Sequence, residues 1–472
     1  MKSSIVSFIS KTSVFVVVLF SFFNAYTQTE PQKIINEFYN KKPDLRSAFV
    51  GFHAIDMSTD SVIVDLNSTK SMMPASLIKL FTTAAALDYL GEDFQFKTYI
   101  SHTGTIDDSG VLDGDIVIHG SGDPTLGSKY FPEKKHFIDS IVQKIINYGI
   151  QSINGKIIID CSIFDSQSIP TTWVWQDMGL SYAAGVYPIS MNDNIFTITF
   201  ANAESDTLKR KGLSRIKRGT PPGIPASPFE YNEYDSVDID PQNGRFIVKG
   251  SIPAPQEILG LELIQRFMSR DVCNISQEYM SVVIPVRGIT DTIGALTSPK
   301  LHEIVEVANK KSINNYAEYL LKYLGYNVYD DGSYSVGTNV VTDYIDSVGV
   351  NSRGVYIYDG SGLSRYNVVT PQHVTYFLQN VTAKNYADTF INSLSVSGTS
   401  GTLKSYPFPK NMTNKIQGKT GSMTRIRNLA GYMTTKSGEK VVFCVMMNGH
   451  TCNARGSKKL ITELLANLYT NY

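Results

Sequence analysis

Apolar and polar positions fall into three textures along this chain. Phe49-Val50-Gly51-Phe52-His53-Ala54-Ile55 and Val62-Ile63-Val64-Asp65-Leu66 flank the polar turn Ser58-Thr59-Asp60, the pattern of a β-hairpin. Next comes a run that is apolar nearly all round: Leu77, Ile78, Leu80, Phe81 and Ala84-Ala85-Ala86-Leu87. It predicts a buried helix with Ser76 near its N-terminus. Toward the C-terminus, Leu429-Ala430-Gly431-Tyr432-Met433 and Val441-Val442-Phe443-Cys444-Val445-Met446 predict a second hairpin around residues 436–439. Leu460, Ile461, Leu464 and Leu465 then recur at helical spacing, which predicts a terminal helix over 458–468. The middle differs. It carries short strand-like runs such as Asp115-Ile116-Val117-Ile118-His119 and Gly155-Lys156-Ile157-Ile158-Ile159-Asp160, and the linker-like Pro221-Pro222-Gly223-Ile224-Pro225. Residues 95–285 therefore read as an inserted β-rich region of one or two nested domains. It splits a larger unit into 28–94 and 286–472. No fixed-period repeat is evident.

The first residues belong to no fold. Lys2 and Lys11 precede the apolar run Val14 to Leu19, which continues through Phe20, Phe22 and Phe23. Ala25-Tyr26-Thr27 before Gln28 offers a cleavage site. The apolar run is too short for a membrane span, so residues 1–27 read as a secretory signal peptide and the mature chain as exported, in the periplasm. An uncleaved anchor is the competing reading. In the remaining 445 residues of the 472, basic and acidic residues nearly balance, from 43 of each in the whole chain. A nucleic-acid binder should show a basic excess, so no nucleic-acid partner is expected. The basic cluster Lys209, Arg210, Lys211, Arg215, Lys217 and Arg218 reads as a solvated loop, at most a peripheral contact with an anionic membrane. Cys161, Cys273, Cys444 and Cys452 permit three disulfide pairings or stay as free thiols. Neither C-x-x-C nor H-E-x-x-H spacing occurs, so no metal and no cofactor is expected. The 27 tyrosines pack a core or line a glycan groove.

The candidate chemistry lies in three short motifs. Ser76-Leu77-Ile78-Lys79 puts a hydroxyl and an amine on one face of a helix, one turn apart. An amine with a lowered pKa can take the serine proton and activate the nucleophile. The same spacing recurs at Ser214/Lys217 and Ser437/Lys440, but in polar stretches rather than at the start of a buried helix. Ser312-Ile313-Asn314 opens a helical pattern continuing through Tyr316, Ala317, Tyr319 and Leu320. Lys419-Thr420-Gly421-Ser422 reads as strand just before the second hairpin. Ser152-Ile153-Asn154 and Ser190-Met191-Asn192 show that the middle motif is weak alone. The order of S-x-x-K, S-x-N and K-T-G in their contexts is the specific signal. No G-x-S-x-G is present, and the seven histidines share no motif.

With these motifs the chain resembles the penicillin-binding protein 4 type of D-alanyl-D-alanine carboxypeptidase/endopeptidase, the low-molecular-mass class C penicillin-binding proteins. Gly122-Asp123-Pro124-Thr125-Leu126, Trp173-Val174-Trp175-Gln176-Asp177, Asp359-Gly360-Ser361-Gly362-Leu363-Ser364-Arg365 and Gly401-Thr402-Leu403 also match. So do the 236 positions separating Ser76 from Ser312, room for the nested domains of that family. The resemblance implies an α+β, β-lactamase/transpeptidase-like domain, with an antiparallel sheet flanked by helices. It implies a serine D,D-carboxypeptidase, also a possible D,D-endopeptidase, acting on peptidoglycan stem peptides and acylated by β-lactams. Ser76 is then the nucleophile and Lys79 its base. Ser312 relays a proton, Asn314 holds Lys79 and the substrate amide, and Lys419, Thr420, Gly421 and Ser422 receive the substrate carboxylate. Asp177 and Arg365 are the complementary pair for a zwitterionic diaminopimelate end; a turn cap and an internal salt bridge are the competing readings. Two other functions stay open: a serine β-lactamase, although no E-x-x-L-N element is found, and a non-catalytic penicillin-binding or peptidoglycan-sensing module.

Overall fold

A computed structural model describes residues 29–200, 236–240, 245–270 and 278–472. The expected signal segment, the basic cluster, the Pro221–Pro225 stretch and Cys273 lie outside the described residues.

The described residues open with helix α1 (Glu30–Lys41), then the hairpin β1 (Phe49–Asp56) and β2 (Val62–Leu66). A 3-10 turn, Ala75–Leu77, leads into α2 (Ile78–Leu90). Every residue of α2 from Ile78 to Leu87 is buried, as an all-round apolar helix requires. It stops at Gly91, whose φ of 82° lies in the left-handed region open to glycine.

The inserted region follows: β3 (Lys97–Thr103), β4 (Thr105–Ile106), β5 (Val111–Asp113), β6 (Ile116–His119), α3 (Phe137–Asn147), β7 (Ser152–Ile153) and β8 (Ile157–Asp160). It continues with β9 (Ile195–Phe200), β10 (Ser236–Asp240), β11 (Arg245–Ser251), α4 (Pro255–Met268), β12 (Tyr279–Val282) and β13 (Ile289–Thr297). Strands order as β12-β8-β6-β3-β13 in a five-stranded sheet, with two three-stranded sheets beside it, β10-β11-β9 and β4-β5-β7.

The structure adds detail to one expectation and changes another. The β-rich insert also carries the helices α3 and α4. β6 and β8 run parallel, which demands a crossover, and α3 lies in that connection. Ile141, Val142 and Ile145 of α3 and Leu259, Leu263 and Phe267 of α4 share a core with Ile116, Ile118, Ile157 and Ile159 of the sheet. The boundary also moves. β13, which the sequence reading placed in the larger unit, pairs with β3 at the edge of the inserted sheet. Its first four residues are exposed, and only Ile293 and Leu296, both half-buried, pack on the insert's core.

From Ser298 the chain builds the helical layer: α5 (Leu301–Lys310), α6 (Asn314–Tyr329), α7 (Tyr334–Ser347), α8 (Pro371–Val381) and α9 (Ala387–Asn392). It ends in β14 (Ser395–Val396), β15 (Ile416–Met423), β16 (Ile426–Thr434), β17 (Lys440–Asn448) and α10 (Ala454–Asn471). The main sheet has the order β14-β15-β16-β17-β1-β2, every pair antiparallel, so the first and last segments close one sheet. Alternation along β17 shows how it is covered. Val442, Cys444 and Met446 face a core shared with α2 and α5–α9, whereas Val441, Phe443, Val445 and Met447 face one shared with α1 and α10. Cys161, Cys444 and Cys452 are free thiols. No helix among the described residues is long and apolar enough to cross a membrane.

Candidate active site

The three motifs meet where α2, α6 and β15 converge. Ser76 sits in the 3-10 turn ahead of α2 rather than in the helix itself. Ala75 before it has φ 49°, a left-handed conformation that costs energy for a residue with a Cβ. The turn is clamped from two sides. Asn428 of β16, fully buried, donates to the carbonyls of Met73 and Pro74 at 2.9 and 2.8 Å and accepts from the Met447 N–H at 3.0 Å. Gly421 of β15 packs so tightly on the turn that a Cβ there would lie 2.5 Å from the Pro74 carbonyl oxygen, which explains the glycine of K-T-G. Gly362, at φ 85°, presses on the other side, where a Cβ would meet the Ala75 oxygen at 1.9 Å.

One turn into α2, Lys79 is fully buried and its Nζ lies 3.1 Å from Ser76 Oγ. The same Nζ donates to Asn314 Oδ1 and to the Ser361 carbonyl, both at 2.7 Å. Asn314 begins α6 and uses its amide N–H to hold the Tyr182 carbonyl at 2.7 Å. Ser312 lies outside the helix that the sequence suggested it would begin. It sits in the α5–α6 connection at φ 58°, a second strained position at the site. Its Oγ accepts from Lys419 Nζ at 2.7 Å, and Lys419, on β15, is fully buried. Thr420 hydrogen-bonds Thr402 at 2.8 Å, while Ser422 is exposed on the same strand.

Burial controls the charge here. It draws the Lys79 ammonium down toward about 7, against the upward pull of Glu318 and Asp359. Lys419 is pushed well below its ordinary value, by burial first and by the nearby Lys79 second. Glu318 went unnoticed in the sequence reading, and Asp359 stood there only as part of a matching stretch, without a role. Glu318 is one turn beyond Asn314 on α6, fully buried, and its carboxylate accepts from the N–H groups of Gly360 and Ser361 at 2.7 and 2.8 Å. Burial, and the charge of Asp359, raise it to about 8. Asp359 accepts from the N–H groups of Gly362 and Ser364, from the Asn367 amide and from the Trp173 indole, at 2.6–2.8 Å. These acids hold the loop whose Ser361 carbonyl receives Lys79. The i+4 spacing of Glu318 from Asn314 was the only local signal.

A cavity of about 480 Å³ opens above this floor. Ser76, Ser312, Asn314, Thr420 and Ser422 line it, and so do Asp177 and Arg365. Asp177 lies in the 3-10 turn Trp175–Asp177 and accepts from Tyr182 OH at 2.7 Å; Arg365 is exposed. Arg427 and Lys458, two further cations that the sequence reading did not single out, complete the wall near β15. Among the described residues no cluster of His, Cys, Asp and Glu could hold a metal.

A helix-flanked antiparallel sheet that brings a serine, a buried lysine and an asparagine into contact defines a serine peptidase site. The chain belongs to the D-Ala-D-Ala carboxypeptidase 3 (S13) family, whose pattern matches residues 32–468. It is 28% identical over 439 residues to the D-alanyl-D-alanine carboxypeptidase DacB of Haemophilus influenzae, covering 87% of each chain. It is 27% identical over 444 residues to a D-alanyl-D-alanine carboxypeptidase of an Actinomadura species, covering 87% of this chain and 79% of that one. The crystal structure of penicillin binding protein 4 from H. influenzae superposes with a TM-score of 0.77 at 25% identity, over 92% of this chain and 99% of that one. The chain is thus a serine-type D-Ala-D-Ala carboxypeptidase.

Proposed function

We propose that Ser76 attacks the carbonyl between two D-alanines of a peptidoglycan stem peptide. Its proton passes to Lys79, and an ester forms between Ser76 and the penultimate residue. The observation that carries this reading is the 3.1 Å contact between Ser76 Oγ and a fully buried Lys79 whose other donors are already placed. Burial favours the neutral amine, which is the form that can accept a proton. The backbone N–H groups of Ser76 and Ser422 form the oxyanion hole in this account. A donor of that kind contributes about 3–4 kcal/mol in the transition state. Ser312, bonded to Lys419, returns a proton to the leaving amine, and the terminal carboxylate lies against Lys419, Thr420 and Ser422. Water then attacks the ester, Ser76 regains its proton, and the shortened peptide leaves.

Cleavage of a D,D cross-link needs the same steps with a larger leaving amine, and the open cavity supports endopeptidase action as well. Asp177 and Arg365, on one wall of that cavity, suit the ammonium and carboxylate of a diaminopimelate side chain. The basic, apolar start of the chain supports export to the periplasm, where this substrate is found. The larger unit in this reading comprises residues 28–94 and about 298–472. Incubation of the purified protein with monomeric and cross-linked muropeptides, followed by mass analysis, tests the assignment. Loss of one alanine from the monomer, and conversion of dimer to monomers, are expected. Unchanged muropeptides would refute it.

A further inference from the structure

A second and larger cleft, about 940 Å³, lies where the inserted sheet meets the far ends of α2 and α6. That size is at the upper end for small-molecule sites. Its floor is a polar chain across three neighbouring strands. Ser101 of β3 contacts His119 Nε2 at 3.1 Å, and His119 Nδ1 of β6 contacts Asp160 of β8 at 3.1 Å. Ser101 and Asp160 are buried, while the His119 side chain is one-quarter exposed. With Asp160 accepting from Nδ1–H, Nε2 accepts from the serine hydroxyl.

The walls are aromatic. Tyr323 and Tyr326 of α6 stand with ring centroids 5.8 Å apart, and Tyr99 of β3 is 45% exposed although it faces a cavity. Packing covers only about half of Tyr99, which leaves apolar ring surface open to the cleft. Aromatic faces above a ring of hydroxyl and imidazole groups suit a pyranose, which has an apolar C–H face and a hydroxyl edge.

One helix, α6, runs from the catalytic floor to this cleft. α6 starts at Asn314, in contact with Lys79, and Tyr323 and Tyr326 come nine and twelve residues later. That is about 14–18 Å along the helix axis. An extended peptide of four to five residues spans about 13–18 Å.

We propose that this cleft is a subsite for the glycan strand, a chain of β-linked N-acetylated pyranoses, whose peptide branch reaches Ser76. The ligand class rests on the proposed activity, but its test does not. Chitotetraose, which carries no peptide, is titrated calorimetrically into the full chain, into Tyr99→Ala and into Tyr326→Ala. Penicillin acylation and thermal melting are measured on the same samples. The proposal expects millimolar or tighter binding by the wild type, weakened about tenfold by either substitution, the loss of one aromatic contact. Acylation of Ser76 should be unchanged in both variants. No binding to the wild type, or equal binding by all three proteins, overturns the glycan subsite while leaving the peptidase reading intact. Absent acylation in the wild type refutes the peptidase reading instead.

Discussion

The floor and the rim of the Ser76 cavity are built on opposite principles. On the floor, Lys79 and Lys419 are fully buried, and Lys79 Nζ has three polar neighbours within 3.1 Å. Two strained backbone positions lie there: Ala75, in the turn clamped by Asn428, and Ser312, whose hydroxyl is bonded to Lys419. At the rim, Arg365 is exposed and the Asp177 carboxylate accepts from the Tyr182 hydroxyl on the same short loop. A buried, over-determined group suits a step common to every substrate. An exposed charge on a short turn suits choice among substrates, because it gains a firm partner only when one arrives. Damage to the floor should therefore abolish chemistry on all substrates, and damage to the rim should change only preference.

The largest effect is expected at Lys79. Lys79→Ala removes the base and should slow acylation by at least about 10²-fold, on penicillin and on peptide alike. Stopped-flow acylation with a chromogenic β-lactam measures it. Wild-type rates would remove Lys79 from the mechanism. Lys419→Ala should raise KM and lower kcat together, since it takes away a carboxylate partner and the donor to Ser312.

The rim comes second. Asp177→Asn and Arg365→Ala should lower kcat/KM for a diaminopimelate muropeptide roughly 5- to 150-fold, about 1–3 kcal/mol per charged hydrogen bond. A short acetylated D-Ala-D-Ala peptide should be cleaved almost as before. Equal losses on both substrates would place these residues with the floor and erase the contrast.

The smallest effect is in pH. Acylation needs Lys79 neutral, and burial sets its pKa near 7. The rate should therefore fall as pH drops through 7, approaching about tenfold per unit on the acid side. Glu318 pulls Lys79 upward when ionised, so Glu318→Gln should move this limb toward lower pH. A limb that stays fixed would mean that the carboxyl is neutral across the range and only positions the 360–361 loop.

The floor was more legible in the sequence than the rest. Ser76 and Lys79 interact across one helical turn, so their spacing alone brings them together. Lys419 and Gly421 were visible through a strand pattern and a turn-free K-T-G run. Glu318 was not, because its partners are backbone N–H groups of a loop 42 residues away, a contact that only tertiary folding creates, while Asp359 stood in a matching stretch whose local spacing gave no hint of its reach to Trp173. The helices of the insert were a different kind of omission. Phe137, Ile138, Ile141, Val142 and Ile145 have clear helical spacing, and short strand-like neighbours drew the reading toward β structure. The edge strand Ile289–Thr297 had a weaker signal, being exposed over its first four residues and buried nowhere along its length.

The account stands or falls on Ser76. A fluorescent penicillin incubated with the purified chain, followed by peptide mapping, should place one label per molecule on Ser76. Ser76→Ala should remove it, whereas Ser437→Ala, the same S-x-x-K spacing in a turn, should label as the wild type does. Label that persists in Ser76→Ala, or that maps to another residue, would contradict the assignment of the nucleophile and with it the mechanism built on Lys79.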